Sequence, residues 1–274
     1  MDVTEVLNSN FSIIHAERIE TPSEFADCAE TFSIRYRSDD FEVEGYAAIP
    51  KTFSGKLPVI IFNRGGNREF GRLIPEKVCK YAVYGYAVFG SQYRGNCGGT
   101  GQEEFGGSDV NDIINLTTIA LEMPFTRNDG VFMVGHSRGG MMTYIACTRD
   151  DRIIAATVGS GIADSIMMYE TREESMKDVY KELVGGAPAD CPEEFYKRSA
   201  VKWAGDVKPP ILICQGTDDW RVVPQQAYET DRALEKAGKE HKLIVYQGAD
   251  HSLKGTSYNS DVVDWFRQHD SYLK

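Results

Sequence analysis

The sequence predicts an α/β fold built on a doubly wound, mostly parallel sheet, with an N-terminal antiparallel hairpin and a helical insert at about 161–207. Three observations predict it. Short, continuously apolar runs recur from Pro58 onward; segments of helical periodicity separate them; and the stretch before them alternates apolar and polar residues. Strand–helix alternation places helices on both faces of a parallel sheet, and strands covered on both faces lose the alternating pattern.

Residues 1–30 are polar and irregular, with room for one short helix, and read as an N-terminal extension ahead of a single domain over 31–274. Thr31–Arg37 (TFSIRYR) and Phe41–Ile49 (FEVEGYAAI) alternate around Ser38-Asp39-Asp40, the pattern of a β-hairpin. The runs Val59–Phe62, Tyr86–Gly90, Val131–Val134, Ile153–Val158, Ile211–Cys214 and Leu243–Tyr246 are predicted as buried strands. Helical periodicity covers about Leu73–Tyr84, Asp109–Met123, Gly139–Thr148, Pro224–Ala237 and Ser260–His269. Gly161–Val207 breaks the alternation: it is long, rich in Glu, Lys, Met and Tyr, and reads as one or two helices set over the C-terminal edge of the sheet, as a cap or part of a substrate wall.

Composition narrows the function classes. The 274 residues carry 41 acidic against 30 basic side chains, a net charge of -11, with no Lys/Arg cluster, so nucleic acid is not an expected partner. The six cysteines (Cys28, Cys79, Cys97, Cys147, Cys191, Cys214) include no C-x-x-C spacing, so neither a structural metal site nor a redox motif is expected, and no cofactor. Met1–Asn10 lacks the apolar run of a signal peptide, and no stretch reaches the roughly 18 apolar residues of a membrane span. Free thiols and no membrane segment place the chain, as an expectation, in the cytoplasm with a small-molecule partner. Nothing in the sequence sets an oligomeric state.

Gly135-His136-Ser137-Arg138-Gly139 forms a G-x-S-x-G motif. In a chain with 26 glycines it can arise by chance, so its context decides. A predicted strand ends directly before it and a predicted helix begins directly after. A strand-to-helix turn this tight strains the central residue, and flanking glycines remove the Cβ atoms that would clash. The turn lifts the Ser137 hydroxyl above the sheet edge at a helix N-terminus, where the Arg138 N–H can donate to an oxyanion.

A serine hydroxyl needs a neighbouring base. His15 lies in the N-terminal segment, His241 precedes a strand and His269 is near the chain end. His136 adjoins the serine, with a side chain expected to leave the turn in another direction. His251 follows the last strand run, and a loop after a parallel strand delivers its residues to the edge that presents Ser137. The loop after Ile211–Cys214 offers Asp218 and Asp219 to orient that histidine, and spacing leaves both open. Asp250 adjoins His251, and their side chains diverge. Phe62-Asn63-Arg64-Gly65-Gly66-Asn67 follows the first central strand, and its glycine pair suits a second oxyanion donor, the N–H of Gly65 or Gly66. The chain order of serine, aspartate and histidine is that of the α/β-hydrolase fold. Arg64, Tyr93, Arg94, Met167, Met168, Tyr169 and Trp220 are candidates for lining a substrate pocket.

From about Phe32 onward these residues resemble the catalytic domain of the prolyl oligopeptidase family of α/β-hydrolases. The resemblance rests on VIIFNRGG, on Tyr93-Arg94-Gly95 with Gly98-Gly99-Thr100-Gly101 and Glu104-Phe105-Gly106-Gly107, on GHSRGG at 135–140, on GTDDWRV at 216–222 and on the closing LEKAGKEHKLIVYQGADHSL. It implies that Asp219, the aspartate of the G-x-x-D-x-x-V pattern, is the triad acid. The chain departs from the pattern at Arg64, where His or Tyr is frequent, at Asn67 in place of proline and at Gln215 in place of a histidine. Arg64 in that position implies a backbone donor for the oxyanion. Roughly 30 residues ahead of the hairpin are too few for a β-propeller, so the expectation is a stand-alone serine hydrolase that cleaves a carboxylic ester, or an amide, of a small substrate through an acyl-enzyme. A peptidase or aminopeptidase acting on short peptides is the alternative.

Overall fold

A computed structural model of the chain describes residues 2–273. The predicted hairpin is present as β2 (Ala29–Ser38) and β3 (Phe41–Pro50), antiparallel with Ser38 opposite Phe41. Asp39, in the two-residue turn, lies at φ 52°, a left-handed conformation that Asp and Asn tolerate better than other side chains.

The first 30 residues are more ordered than expected. Helix α1 (Val3–Ser9) is capped by the Asp2 carboxylate, which accepts from the Thr4 and Glu5 N–H groups. Strand β1 (Ile13–Ile19) then pairs antiparallel with β2, so this segment is an edge strand and not an irregular extension. Its pattern was illegible because the register shifts between Ile13 and His15, which puts the two buried side chains, Ile13 and Ala16, three residues apart.

The six apolar runs are all strands: β4 (Leu57–Asn63), β5 (Ala87–Ser91), β6 (Thr126–His136), β7 (Ile153–Gly159), β8 (Ile211–Gly216) and β9 (His241–Tyr246). Between them run α2 (Pro75–Ala82), α3 (Asn111–Glu122) and α4 (Arg138–Arg149), and after β8 and β9 come α8 (Gln225–Lys236) and α9 (Tyr258–His269). The insert holds three short helices, α5 (Ser165–Thr171), α6 (Glu174–Leu183) and α7 (Pro192–Lys197), where one or two were expected. This mixed sheet with interleaved helices is the α/β-hydrolase fold. No helix among the described residues is long and apolar enough to cross a membrane.

The chain divides into two compact units. The first runs to Glu103 and resumes at Asp109–Met133; the second holds Glu104–Ser108 and the chain from Val134 onward. In the first, the strand order is β1-β2-β3-β5-β4-β6, antiparallel up to β5, with β4 and β5 parallel. In the second, β6 is followed by β7, β8 and β9, the last three parallel and each in register with the next.

A buried polar network organises the first unit. The Asp112 carboxylate, fully buried on α3, accepts from the Ser38 hydroxyl at 2.6 Å, the Arg94 N–H at 2.7 Å and the Arg94 guanidinium at 2.6 Å. The same guanidinium reaches Asp39 in the hairpin turn at 2.8 Å. Removing one partner of such a pair strands a charge in the core. Asp112→Ala is therefore expected to destabilise the protein by about 3–5 kcal/mol, read as a shift of the urea midpoint, with a far smaller effect from the exposed Asp40→Ala.

The second unit gathers the insert. Gln226 of α8 accepts from the Ala163 and Asp164 N–H groups and donates to the Asp164 carbonyl. Arg198 donates to the carbonyls of Phe105 and Glu104, which ties residues 104–108 to α7. Tyr180 and Phe195 stack at 5.1 Å, Tyr169 meets both edge-on, and Phe105 meets Tyr180 edge-on. Tyr169 and Met168, candidates for a substrate pocket, thus belong to the packed interior of the insert, Met168 being buried and Tyr169 half-buried.

Candidate active site

Ser137 sits between β6 and α4 at φ 58°, ψ -122°. A serine that merely capped the helix would be extended and would accept from an N–H of the first turn; Ser137 does neither. Its backbone is locked instead. The N–H donates to the Gly159 carbonyl at the end of β7, and the carbonyl accepts from Gly140 and Ile162. The glycines answer to close approaches. A Cβ on Gly135 would lie 2.3 Å from the Gly139 carbonyl oxygen and from Thr143 Oγ1, and one on Gly140 would lie 2.7 Å from the Gly161 Cα. A side chain held at a sparsely populated φ/ψ by its surroundings stores of order 1–3 kcal/mol of strain, a feature that clusters at functional sites.

Asp219 and His251 form a hydrogen-bonded pair. The His251 Nδ1 lies 2.9 Å from Asp219 Oδ2 and 3.1 Å from Oδ1. A carboxylate only accepts, so Nδ1 carries a hydrogen, and in the neutral ring Nε2 then holds the lone pair. Asp219 is buried and held from three further sides: the Arg221 and Val222 N–H groups donate to Oδ1 at 2.9 and 3.0 Å, and the Gln215 amide donates to Oδ2 at 3.2 Å. Burial alone would raise its pKa. The hydrogen bond and charge of His251, joined by the Val222 N–H and the Gln215 amide, outweigh that and hold the carboxyl below its ordinary 3.8. Asp218 points elsewhere: it is exposed and its carboxylate accepts from Thr217 Oγ1.

His136 takes a place that local reasoning missed. Its Nε2 lies 2.8 Å from the His251 carbonyl oxygen, and the two rings meet edge to face at 5.0 Å and 67°. The residue before Ser137 is thereby in direct contact with the residue expected to be its base. Arg138 is buried, with its guanidinium 4.9 Å from the Phe105 ring centroid.

Arg64, Gly65, Gly66, Tyr93 and Arg94 lie in the first unit, where the side chains of Arg64, Tyr93 and Arg94 do structural work. Arg64 is buried and donates to the carbonyls of Gln92, Gly65, Phe70 and Arg68, pinning the 64–70 turn on itself. Its guanidinium is enclosed by carbonyls, where a pocket-lining role had been expected. Tyr93 is buried and donates to the Arg64 carbonyl, and Arg94 is the buried partner of Asp112. Gly66 lies at φ 68°, and a Cβ there would stand 2.0 Å from the Phe70 carbonyl oxygen, so the turn itself demands glycine. In the second unit Trp220 is 62% exposed, with the guanidinium groups of Arg172 and Arg221 each 5.4 Å from its ring. Sequence alone marks these residues as near the motifs; which polar groups enclose them is a tertiary fact. No cluster of three or more His, Cys, Asp or Glu that could hold a metal occurs among the described residues.

Comparison with known proteins follows the same line. The model of the prolyl oligopeptidase family matches residues 79–274. The chain is 28% identical over 240 residues to the uncharacterized peptidase YtmA of Bacillus subtilis, covering 87% of this chain and 91% of YtmA. It is 26% identical over 264 residues to the acylamino-acid-releasing enzyme of Rattus norvegicus, 86% of this chain but 35% of that protein. Among solved structures it resembles the uncomplexed acylaminoacyl peptidase of Pyrococcus horikoshii, with a TM-score of 0.76 and 25% identity over 88% of this chain and 42% of that one. The chain thus spans 35% and 42% of the length of the latter two.

Proposed function

The chain belongs to the prolyl oligopeptidase family of serine hydrolases, and from that premise we propose that it is a serine peptidase acting on short peptides, with Ser137 as nucleophile, His251 as base and Asp219 as the acid that orients it. The observation that carries the assignment is the Asp219–His251 hydrogen bond, because it leaves the His251 Nε2 as the proton acceptor. Ser137 Oγ attacks the scissile carbonyl carbon while its proton passes to Nε2. The C–N bond then breaks, the leaving amine takes that proton, and an acyl-enzyme ester remains. Water, deprotonated by the same nitrogen, hydrolyses the ester and returns the proton to Ser137. The Arg138 N–H, at the start of α4, is our candidate donor to the oxyanion.

The ester preference expected from sequence rested on the shortness of the segment ahead of the hairpin. YtmA, which the chain spans almost completely, is itself named a peptidase, so chain length does not weigh against peptides. The acylamino-acid-releasing enzyme and the acylaminoacyl peptidase among its relatives favour a substrate with a blocked N-terminus.

The test compares N-acetyl-alanyl p-nitroanilide, the unblocked alanyl p-nitroanilide and p-nitrophenyl butyrate. Turnover of an anilide with kcat/KM at least about tenfold higher for the acetylated one, a gap of about 1.4 kcal/mol, is the expected result. Hydrolysis of the ester with neither anilide cleaved would overturn the peptidase reading and restore the esterase one.

A further inference from the structure

We propose that His136 is a positioning residue: it donates a hydrogen bond from Nε2 to the backbone carbonyl of His251 and so sets the base at a fixed distance from the nucleophile beside it. The inference rests on the assignment of Ser137 and His251 above. Three observations carry it. A carbonyl oxygen can only accept, so the 2.8 Å contact fixes the hydrogen on the His136 Nε2 and makes the imidazole the donor. The ring also packs edge to face on the His251 imidazole, with centroids 5.0 Å apart, so it restrains the side chain as well as the backbone of the base.

The third is the pattern of bonds around the loop that carries His251. Among the described residues, its other hydrogen bonds run within the loop, to the adjoining β9 and α9, or to the segment after β8. The Asp218 N–H donates to the Ala249 carbonyl, the Gly248 N–H to Thr217 Oγ1, the Leu253 N–H to the Asp250 carbonyl and the His251 Nδ1–H to Asp219. These bonds fix the base relative to the acid. None of them fixes it relative to the serine. His136 does, because it is covalently joined to Ser137 and the Ser137 backbone is itself locked onto β7. Acid and nucleophile follow different strands, β8 and β6, and proton transfer is steep in distance, so this bond ties the acid–base pair to the nucleophile.

The test uses three variants and a readout independent of substrate, the rate at which a fluorophosphonate probe labels Ser137. His136→Gln keeps an amide N–H at about the reach of Nε2, His136→Asn is too short, and His136→Phe keeps a ring without a donor. Since a misplacement of about 1 Å can cost about a hundredfold, the Asn and Phe variants are expected to lose about 10- to 100-fold in labelling rate and kcat with KM within about threefold, while the Gln variant stays within about threefold of wild type. Thermal unfolding midpoints should stay close across the set. Equal losses in Gln and Asn, a Phe variant with wild-type rates, or a Gln variant that fails to fold would each overturn the proposal. If the Phe variant alone does not fold, the Gln and Asn pair decides. Labelling that persists in Ser137→Ala instead overturns the nucleophile assignment, which separates the two failures.

Discussion

Replacing Ser137 with alanine is expected to lower kcat/KM on any cleaved substrate by about 10⁴- to 10⁶-fold, with labelling by the fluorophosphonate probe abolished and the unfolding midpoint unchanged. The stability half of this expectation is as specific as the kinetic half. The Ser137 Oγ makes no capping bond to α4, and the backbone bonds to Gly159, Gly140 and Ile162 do not involve the side chain. Alanine keeps the Cβ and therefore the strain of φ 58°, ψ -122°. Glycine at 137 removes both the proposed nucleophile and the strain. Against the backbone entropy that glycine costs, the release leaves a net gain of about 1 kcal/mol, or a midpoint about 2–4 °C higher. A Ser137→Gly variant no more stable than Ser137→Ala would show that the turn is not strained.

The second large effect belongs to Asp219. Asp219→Asn is expected to lower kcat by about 10⁴-fold at neutral pH with the fold intact. The Oδ1 position receives two backbone N–H groups, from Arg221 and Val222, so the amide oxygen of an asparagine would settle there. Its NH₂ group would then face the His251 Nδ1, which would become the acceptor and move the ring hydrogen to Nε2, leaving no base for the serine. The pH dependence carries a sign. Because the native carboxyl titrates below its ordinary 3.8, its contribution to stability is complete above about pH 4 and is lost as the pH falls through the lowered native value. The stability gap between wild type and Asp219→Asn, measured by urea unfolding, should be constant above about pH 4 and shrink below it. A gap that widened on acidification would contradict the assigned hydrogen bonds.

Much of the scaffold was legible because its signals are local. Val131–Val134 and Ile211–Cys214 are apolar throughout because strands covered on both faces have no solvent side to mark. The Asp39-Asp40 turn is marked by polarity between two alternating runs. Strand β1 escaped because its bulge breaks the period of two on which that reading depends. The insert was visible only as a break in the pattern. Its three helices are held by Tyr180 stacking on Phe195 and by Arg198 reaching back to Phe105, partners 15 and 93 residues apart in sequence.

The site divides along the same line. The sequence by itself determined the turn at Ser137, since G-x-S-x-G between a strand and a helix states a backbone conformation in neighbouring residues, and it determined that His251 and an aspartate would follow later parallel strands. Spacing alone left Asp218 and Asp219 level, sent the His136 side chain away from the site and counted Arg64 and Arg94 among the substrate residues. Tertiary structure alone sets the contacts these residues make. A side chain's partner is set by which segments fold against it: Asp219 is buried against His251, His136 meets the carbonyl of His251, and Arg64 and Arg94 are enclosed by carbonyls and by Asp112. Such contacts join residues far apart in the chain, and local periodicity carries no record of them.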